Sequence, residues 1–142
     1  MASSDRQPSF VLSGGKGAGG NVRGPALVSM QGFGIRYDLN LETGVIGNRQ
    51  HDLYGESIAG RVLVFTEPKG GIAASWALAM LREAGIGPLA IVCRRASPIF
   101  AQGALFAGIP IVHCLDDDPC TLLHLGDEVH IRSAEGLIEV YR

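Results

Sequence analysis

Several things are scarce in this sequence, and each scarcity removes a class of function. No apolar run approaches the ~20 residues that span a bilayer, because Gly, Pro, Arg or Asp interrupts every candidate. Met1 to Gln7 also lacks the apolar stretch of a secretory leader. No membrane partner is therefore expected, and a cytoplasmic location is the default expectation. Positive charge is not in excess: 12 Lys and Arg stand against 14 Asp and Glu, a net charge of −2. With no basic stripe beyond isolated pairs such as Arg94-Arg95, no nucleic-acid partner is expected. Cysteine is limited to Cys93, Cys114 and Cys120, an odd number with two in or beside apolar runs, so disulfides are not expected either.

The sequence also lacks complete local catalytic motifs. His51, His113, His124 and His130 include no pair at metal-ligand spacing such as H-x-x-x-H, so no metal is assigned to this chain. Asp116-Asp117-Asp118, directly before Pro119, reads as a solvated turn rather than a cation site. There is no G-x-S-x-G around a serine. Gly15, Gly17 and Gly20 spell G-x-G-x-x-G, but Asn21 to Val28 reads as loop and strand instead of the helix a dinucleotide site needs. Lys16 is followed by Gly17 where a P-loop has Ser or Thr.

What is abundant is apolar residues and glycine. Apolar residues make up 46% of the chain, and 20 glycines accompany only 18% charged residues. That balance describes one turn-rich folded domain, with residues 1–8 as a disordered tail and 9–142 as a single unit. Phe10 to Leu12 opens a first strand. Residues 31–60 hold no helix of useful length and read as irregular loops, with short strands near Ile35 to Tyr37 and Val45-Ile46. From residue 61 the pattern becomes regular, with strands at 61–66, 89–93 and 109–113 separated by helices at 74–84 and 98–107. Such strand–helix–strand crossovers imply parallel pairing. A helical turn at 120–125 and a hairpin of residues 127–132 and 137–141 close the chain. Crossovers combined with antiparallel ribbons predict an α/β domain with a mixed sheet and three layers, β/β/α.

The segment with most chemical promise joins the strand ending at Thr66 to the helix beginning near Ala74. Lys69-Gly70-Gly71-Ile72-Ala73-Ala74-Ser75 forms a glycine-rich turn at a helix N-terminus, where free N–H groups and a partial positive charge favour carboxylate or phosphate. The same glycines also serve simply to tighten a turn. Lys69 would place a cation beside this cradle, and Ser75 is either a helix-capping residue or a working hydroxyl. Arg49 and His51 lie in a second polar loop, where a histidine can titrate near neutral pH. A cradle without a complete catalytic set fits two classes, a binding module or one half of a composite active site.

Five segments occur here in the order found in one family. They are Gly24 to Val28; Gly32-Phe33 with Glu42 to Ile46; Asn48-Arg49-Gln50-His51; Gly60 to Val64; and Pro88 to Val92. Together they resemble the small, swivelling subunit of aconitase X over about residues 24 to 141. The resemblance implies a swivelling β/β/α domain that closes over a larger subunit carrying an iron or iron–sulfur centre, with no cofactor on this chain. It implies a hydro-lyase acting on a small hydroxylated acid of the hydroxyproline or phosphomevalonate type. A serine of the small subunit would take the proton. On this chain the substrate-binding residues would be Lys69, Gly70, Gly71, Ile72, His51 and Arg49; the family's serine is missing, so Ser75 or a group on the partner would take the catalytic place, or the chemistry differs.

The turn departs from the family's approximate G-R-G-S-S-x-x-S, since Gly71 and Ile72 stand where two adjacent serines are expected. Asn48 likewise stands where the family commonly has Asp. Together the departures imply a divergent branch with a substrate of its own, and Gly71 and Ile72 favour the alternative of a non-catalytic binding or regulatory module on the same fold. A second swivelling family, the phosphohistidine domains of phosphotransfer enzymes, shares the Gly108-Ile109-Pro110 and Gly126 to Val129 features. Ser97 to Ala101 offers no histidine at the required place, which disfavours it.

Overall fold

The computed structural model describes residues 7–70 and 74–142. The chain forms strands β1 (Phe10–Leu12), β2 (Lys16–Ala18), β3 (Asn21–Val28) and β4 (Val62–Phe65), then helix α1 (Ala74–Glu83) and strand β5 (Ala90–Cys93). Helix α2 (Pro98–Phe106), β6 (Ile111–His113), α3 (Pro119–Leu122), β7 (Glu128–Arg132) and β8 (Leu137–Tyr141) follow. The strands make one sheet in the order β1-β8-β7-β3-β4-β5-β6-β2. Strands β3, β4, β5 and β6 are parallel neighbours, and β1, β8, β7 and β2 pair antiparallel. The expected crossovers and closing hairpin are both present.

The central strands are buried on both faces, as parallel strands under crossover helices must be. Alternation along each strand divides the interior in two. Leu63, Phe65, Ile91, Cys93 and Ile111 face α1 and α2 together with Leu78, Leu81 and Phe100. Val62, Val64, Ala90, Val92 and Val112 face the opposite way, against Leu12, Val129, Ile131, Ile138 and Val140. The β1-β8-β7 ribbon therefore folds back across the central strands, and helices, central strands and ribbon form the predicted three layers.

The curl of the sheet brings its far edge, β2, against the turn at Ser133–Glu135 between β7 and β8. Gly15 N–H donates to the Gly136 carbonyl at 3.0 Å. A Cβ at Gly17 would collide with the Ser133 carbonyl. The glycine run is thus a strand squeezed between two backbones, and no helix follows it. Its strand character was not legible in the sequence, because glycine has little β propensity.

Residues 31–60 contain no helix and are tied by isolated bridges at Phe33–Pro68, Leu39–Ile46 and Val45–Ser57. One expectation needs correcting. Ile35 to Tyr37 is a turn instead of a strand, with Tyr37 N–H and Asp38 N–H both donating to the Gly34 carbonyl at 3.1 and 2.8 Å. The apolar Ile35 that prompted the strand reading is buried as a turn anchor under the loop.

Candidate functional site

The C-terminal ends of β4 and β5 splay around a cleft of about 380 Å³ lined by Glu67, Pro68, Gly70, Arg95, Ala96, Ser97 and Pro98. In open parallel sheets, ligands sit in the crevice beyond the carboxyl ends of strands, where helix N-termini converge. Helix α2 begins on one wall: Pro98 occupies its first turn, and Ser97 caps it by accepting the Phe100 N–H at 3.2 Å. A larger hollow of about 490 Å³, lined in part by Gly60, Gly87, Pro88, Gly108 and Pro110, lies at the opposite ends of the same strands. Position in the fold favours the smaller cleft.

Glu67, Pro68 and Gly70, the first glycine of the predicted turn, form the other wall. Gly70 has φ of 72°, a left-handed conformation that suits glycine. Gly71 and Ile72 lie outside the described residues. Ser75 sits in the first turn of α1 and is half-buried. It packs on α2, where a Cβ built at Gly103 would approach the Ser75 Cβ to 3.0 Å. Bare Gly103 is what allows the two helices to meet at this serine.

Lys69 is anchored. Its Nζ lies 3.1 Å from Oδ2 of Asp38, whose side chain is only 1% exposed. The same carboxylate accepts the Gly34 N–H at 2.8 Å and Asn48 Nδ2 at 2.7 Å. Burial alone would raise the Asp38 pKa. The donors of Asn48, Gly34 and Lys69 outweigh it and hold the carboxyl below its ordinary range. Sequence reasoning missed Asp38, since one aspartate in a turn-rich segment carries no local signal of a tertiary pair. Asn48, noted for replacing an aspartate, proves to be a neutral donor to this buried anion.

His51 occupies the interior of the 31–58 loop instead of the cleft wall. Its Nε2–H donates to the Gly32 carbonyl at 2.9 Å, and Nδ1 accepts the Leu53 N–H at 3.1 Å, so both ring nitrogens serve the loop. The ring edge packs on Phe33, with centroids 5.2 Å apart. Asp52 beside it accepts from Ser29 Oγ at 2.7 Å and Met30 N–H at 2.9 Å. Arg49 is exposed and makes no ion pair with the described residues. Of the predicted site residues that are described, Gly70 alone lines the cleft; Lys69 adjoins it in the chain, Ser75 packs on α2, and His51 and Arg49 lie apart from the lining.

The remaining candidates have structural employment. Asp118 caps α3 through the Cys120 N–H at 2.9 Å and pairs with Arg94 at 2.7 Å. His113 Nδ1 accepts the Ala96 N–H at 3.1 Å, supporting the cleft from behind. Among the described residues no three His, Cys, Asp or Glu side chains converge as a metal set would require. Burial also pushes the Cys93 thiol up to about 12, with the nearby Cys120 and Cys114 adding to it. These residues do not fit an iron or iron–sulfur centre, so none of the chemistry below is routed through a metal on this chain.

Comparison with known proteins places this geometry. Residues 11–140 match the family model of the aconitase X swivel domain. A phosphomevalonate dehydratase small subunit of Methanocella arvoryzae is 34% identical over 129 residues, covering 91% of this chain and 98% of the relative. Its counterpart in Thermococcus onnurineus is 36% identical, covering 91% and 97%. A chain of the crystal structure of Thermococcus kodakaraensis aconitase X superposes with a TM-score of 0.86 at 30% identity, covering 94% of this chain and all of that one. With the β/β/α layering and the glycine turn at the end of β4, these similarities make this chain a member of the aconitase X swivel-domain family.

Proposed function

We propose that this chain is the small subunit of a hydro-lyase that removes water from a small hydroxylated acid of the phosphomevalonate type, and that its cleft is one half of an active site completed by a larger chain. The observation that carries the reading is near end-to-end similarity to phosphomevalonate dehydratase small subunits, joined to an open cleft lined by Arg95 and Glu67, with no metal set among the described residues. An iron or iron–sulfur centre belongs, on this reading, to the larger partner. It would supply Lewis acidity toward the departing hydroxyl.

The work assigned to this chain is binding and proton handling. Lys69 and the Gly70 to Ile72 turn receive the anionic group of the substrate, with Arg95 across the cleft adding positive charge. Ser75, in the first turn of α1, is proposed to take the proton. His51 supports the site by holding the loop behind it, and Arg49 is free to meet substrate or partner when the domain closes. Swivelling of the domain would exclude water from the joined cleft.

Two measurements test this. Tagged protein at native levels should co-purify with a larger cysteine-containing chain, and its absence would remove the subunit reading. In the reconstituted complex, Ser75→Ala should lower kcat by ~100-fold or more. An unchanged rate would remove Ser75 from proton transfer. The non-catalytic alternative is favoured by Gly71 and Ile72 in place of serines, and it predicts a stable complex without turnover.

A further inference from the structure

Asp38 is a buried charge whose contacts come from three separate parts of the chain. Gly34 belongs to its own turn, Asn48 lies across the loop, and Lys69 comes from the segment leaving β4. Taking a carboxylate out of water is costly, and a well-packed apolar side chain is often at least as stabilising in such a place. A role beyond stability is therefore worth seeking in what the carboxylate holds.

What it holds is Lys69, and Lys69 is fixed twice. Its backbone N–H donates to the Phe33 carbonyl at 2.9 Å, next to the Phe33–Pro68 bridge. Its stem runs over the bare backbones of Gly32 and Gly34, and its ammonium ends on Asp38. A free surface lysine is a flexible point charge with three donors. Here one donor is taken by Asp38 and the side chain remains 51% exposed. Among the described residues nothing else engages the ammonium. Two donors on an immobilised cation, one residue before the Gly70 turn of the cleft, suit an oxyanion, and ordering them before binding lessens the entropy lost on association.

We propose that Asp38 is a positioning residue of the active site, fixing the Lys69 ammonium so that it receives the phosphate or carboxylate of the substrate. This rests on the hydro-lyase reading above. Asp38 does not touch substrate; it acts through Lys69.

The test is a double-mutant cycle in the reconstituted two-subunit enzyme, with 5-phosphomevalonate as substrate. Loss of a charge-assisted contact in the ground state predicts that Asp38→Asn raises KM by about 10-fold while kcat stays within about 3-fold, and that Lys69→Met does the same. The double variant should be no worse than Lys69→Met alone, because one path is removed twice. A merely structural Asp38 would instead lower the melting temperature and add its effect to that of Lys69→Met. If Asp38→Asn does not fold, Asp38→Glu, which keeps the charge and displaces it by one methylene, carries the same prediction. Repeating the cycle with unphosphorylated mevalonate distinguishes the two oxyanions: the KM effect disappears if Lys69 meets phosphate and persists if it meets carboxylate. A wild-type KM for Asp38→Asn, or additivity with Lys69→Met, overturns the inference while leaving the hydro-lyase reading in place. A wild-type complex with no turnover of either compound overturns both.

Discussion

Replacing Phe65 by alanine should loosen the fold and the candidate site together. Phe65 is fully buried at the end of β4, tilted against Phe33 at 5.6 Å between centroids and edge-on to Phe100 of α2 at 6.2 Å. Phe33 in turn meets His51. One ring therefore links helix, sheet and the 31–58 loop on which Asp38 and Asn48 are carried. Truncating a buried phenylalanine costs about 3 to 5 kcal/mol, and the lost ring contacts place this site toward the upper end. Against a total stability of about 5 to 15 kcal/mol, that is a large share. With a urea dependence of about 2 kcal/mol per molar, the midpoint of unfolding followed by circular dichroism should fall by about 2 M. Amide exchange in residues 31–58 should accelerate with it. Phe106 is the control: it is 75% exposed at the end of α2, and its replacement by alanine should change stability by less than about 0.5 kcal/mol. A loss below about 1.5 kcal/mol for Phe65→Ala, or an equal loss for Phe106→Ala, would refute the ladder as the link between core and loop.

The remaining predictions concern titration. Burial raises Cys93 from 9.0 to about 12 and Cys120 to about 11. At pH 8 both side chains therefore stay in the unreactive thiol form. Alkylation of the native protein followed by mass spectrometry should modify partly exposed Cys114 first, and early modification of Cys93 would contradict its burial. Asp38, Asp118 and Asp127 all have carboxyls held below the ordinary 3.8. Around pH 4 the unfolded chain therefore binds more protons than the native one, so the stability these groups contribute is present above 3.8 and lost as the pH falls below it. Thermal melts from pH 7 to 3 should show that decline, and Asp38→Asn should flatten part of it.

How much of this was legible in the sequence depends on whether the cause was local. Strands β4, β5 and β6 and the helices between them were readable because apolar spacing and glycine stops act over a few residues. Strand β2 was hidden because its glycines are required by the Ser133 and Gly136 backbones, which approach only after the sheet curls. Ile35 looked like part of a strand because burial was visible and the turn closing on Gly34 was not. At the candidate site, Lys69 and the Gly70 turn were legible from their place between strand and helix. Asp38 was not, since its partners are gathered from three segments by the fold. His51 read as an available loop group, whereas both its nitrogens are bonded within the loop.

The central claim is that this chain forms half of a shared hydro-lyase site. Its most direct test is an activity titration, in which 5-phosphomevalonate is given to this chain alone, to the metal-loaded larger partner alone, and to the partner with rising amounts of this chain. The account predicts no dehydration by either chain alone, and turnover that rises with added chain to a plateau at one copy per partner. Full activity of the partner alone, or no activity in the mixture, would contradict it.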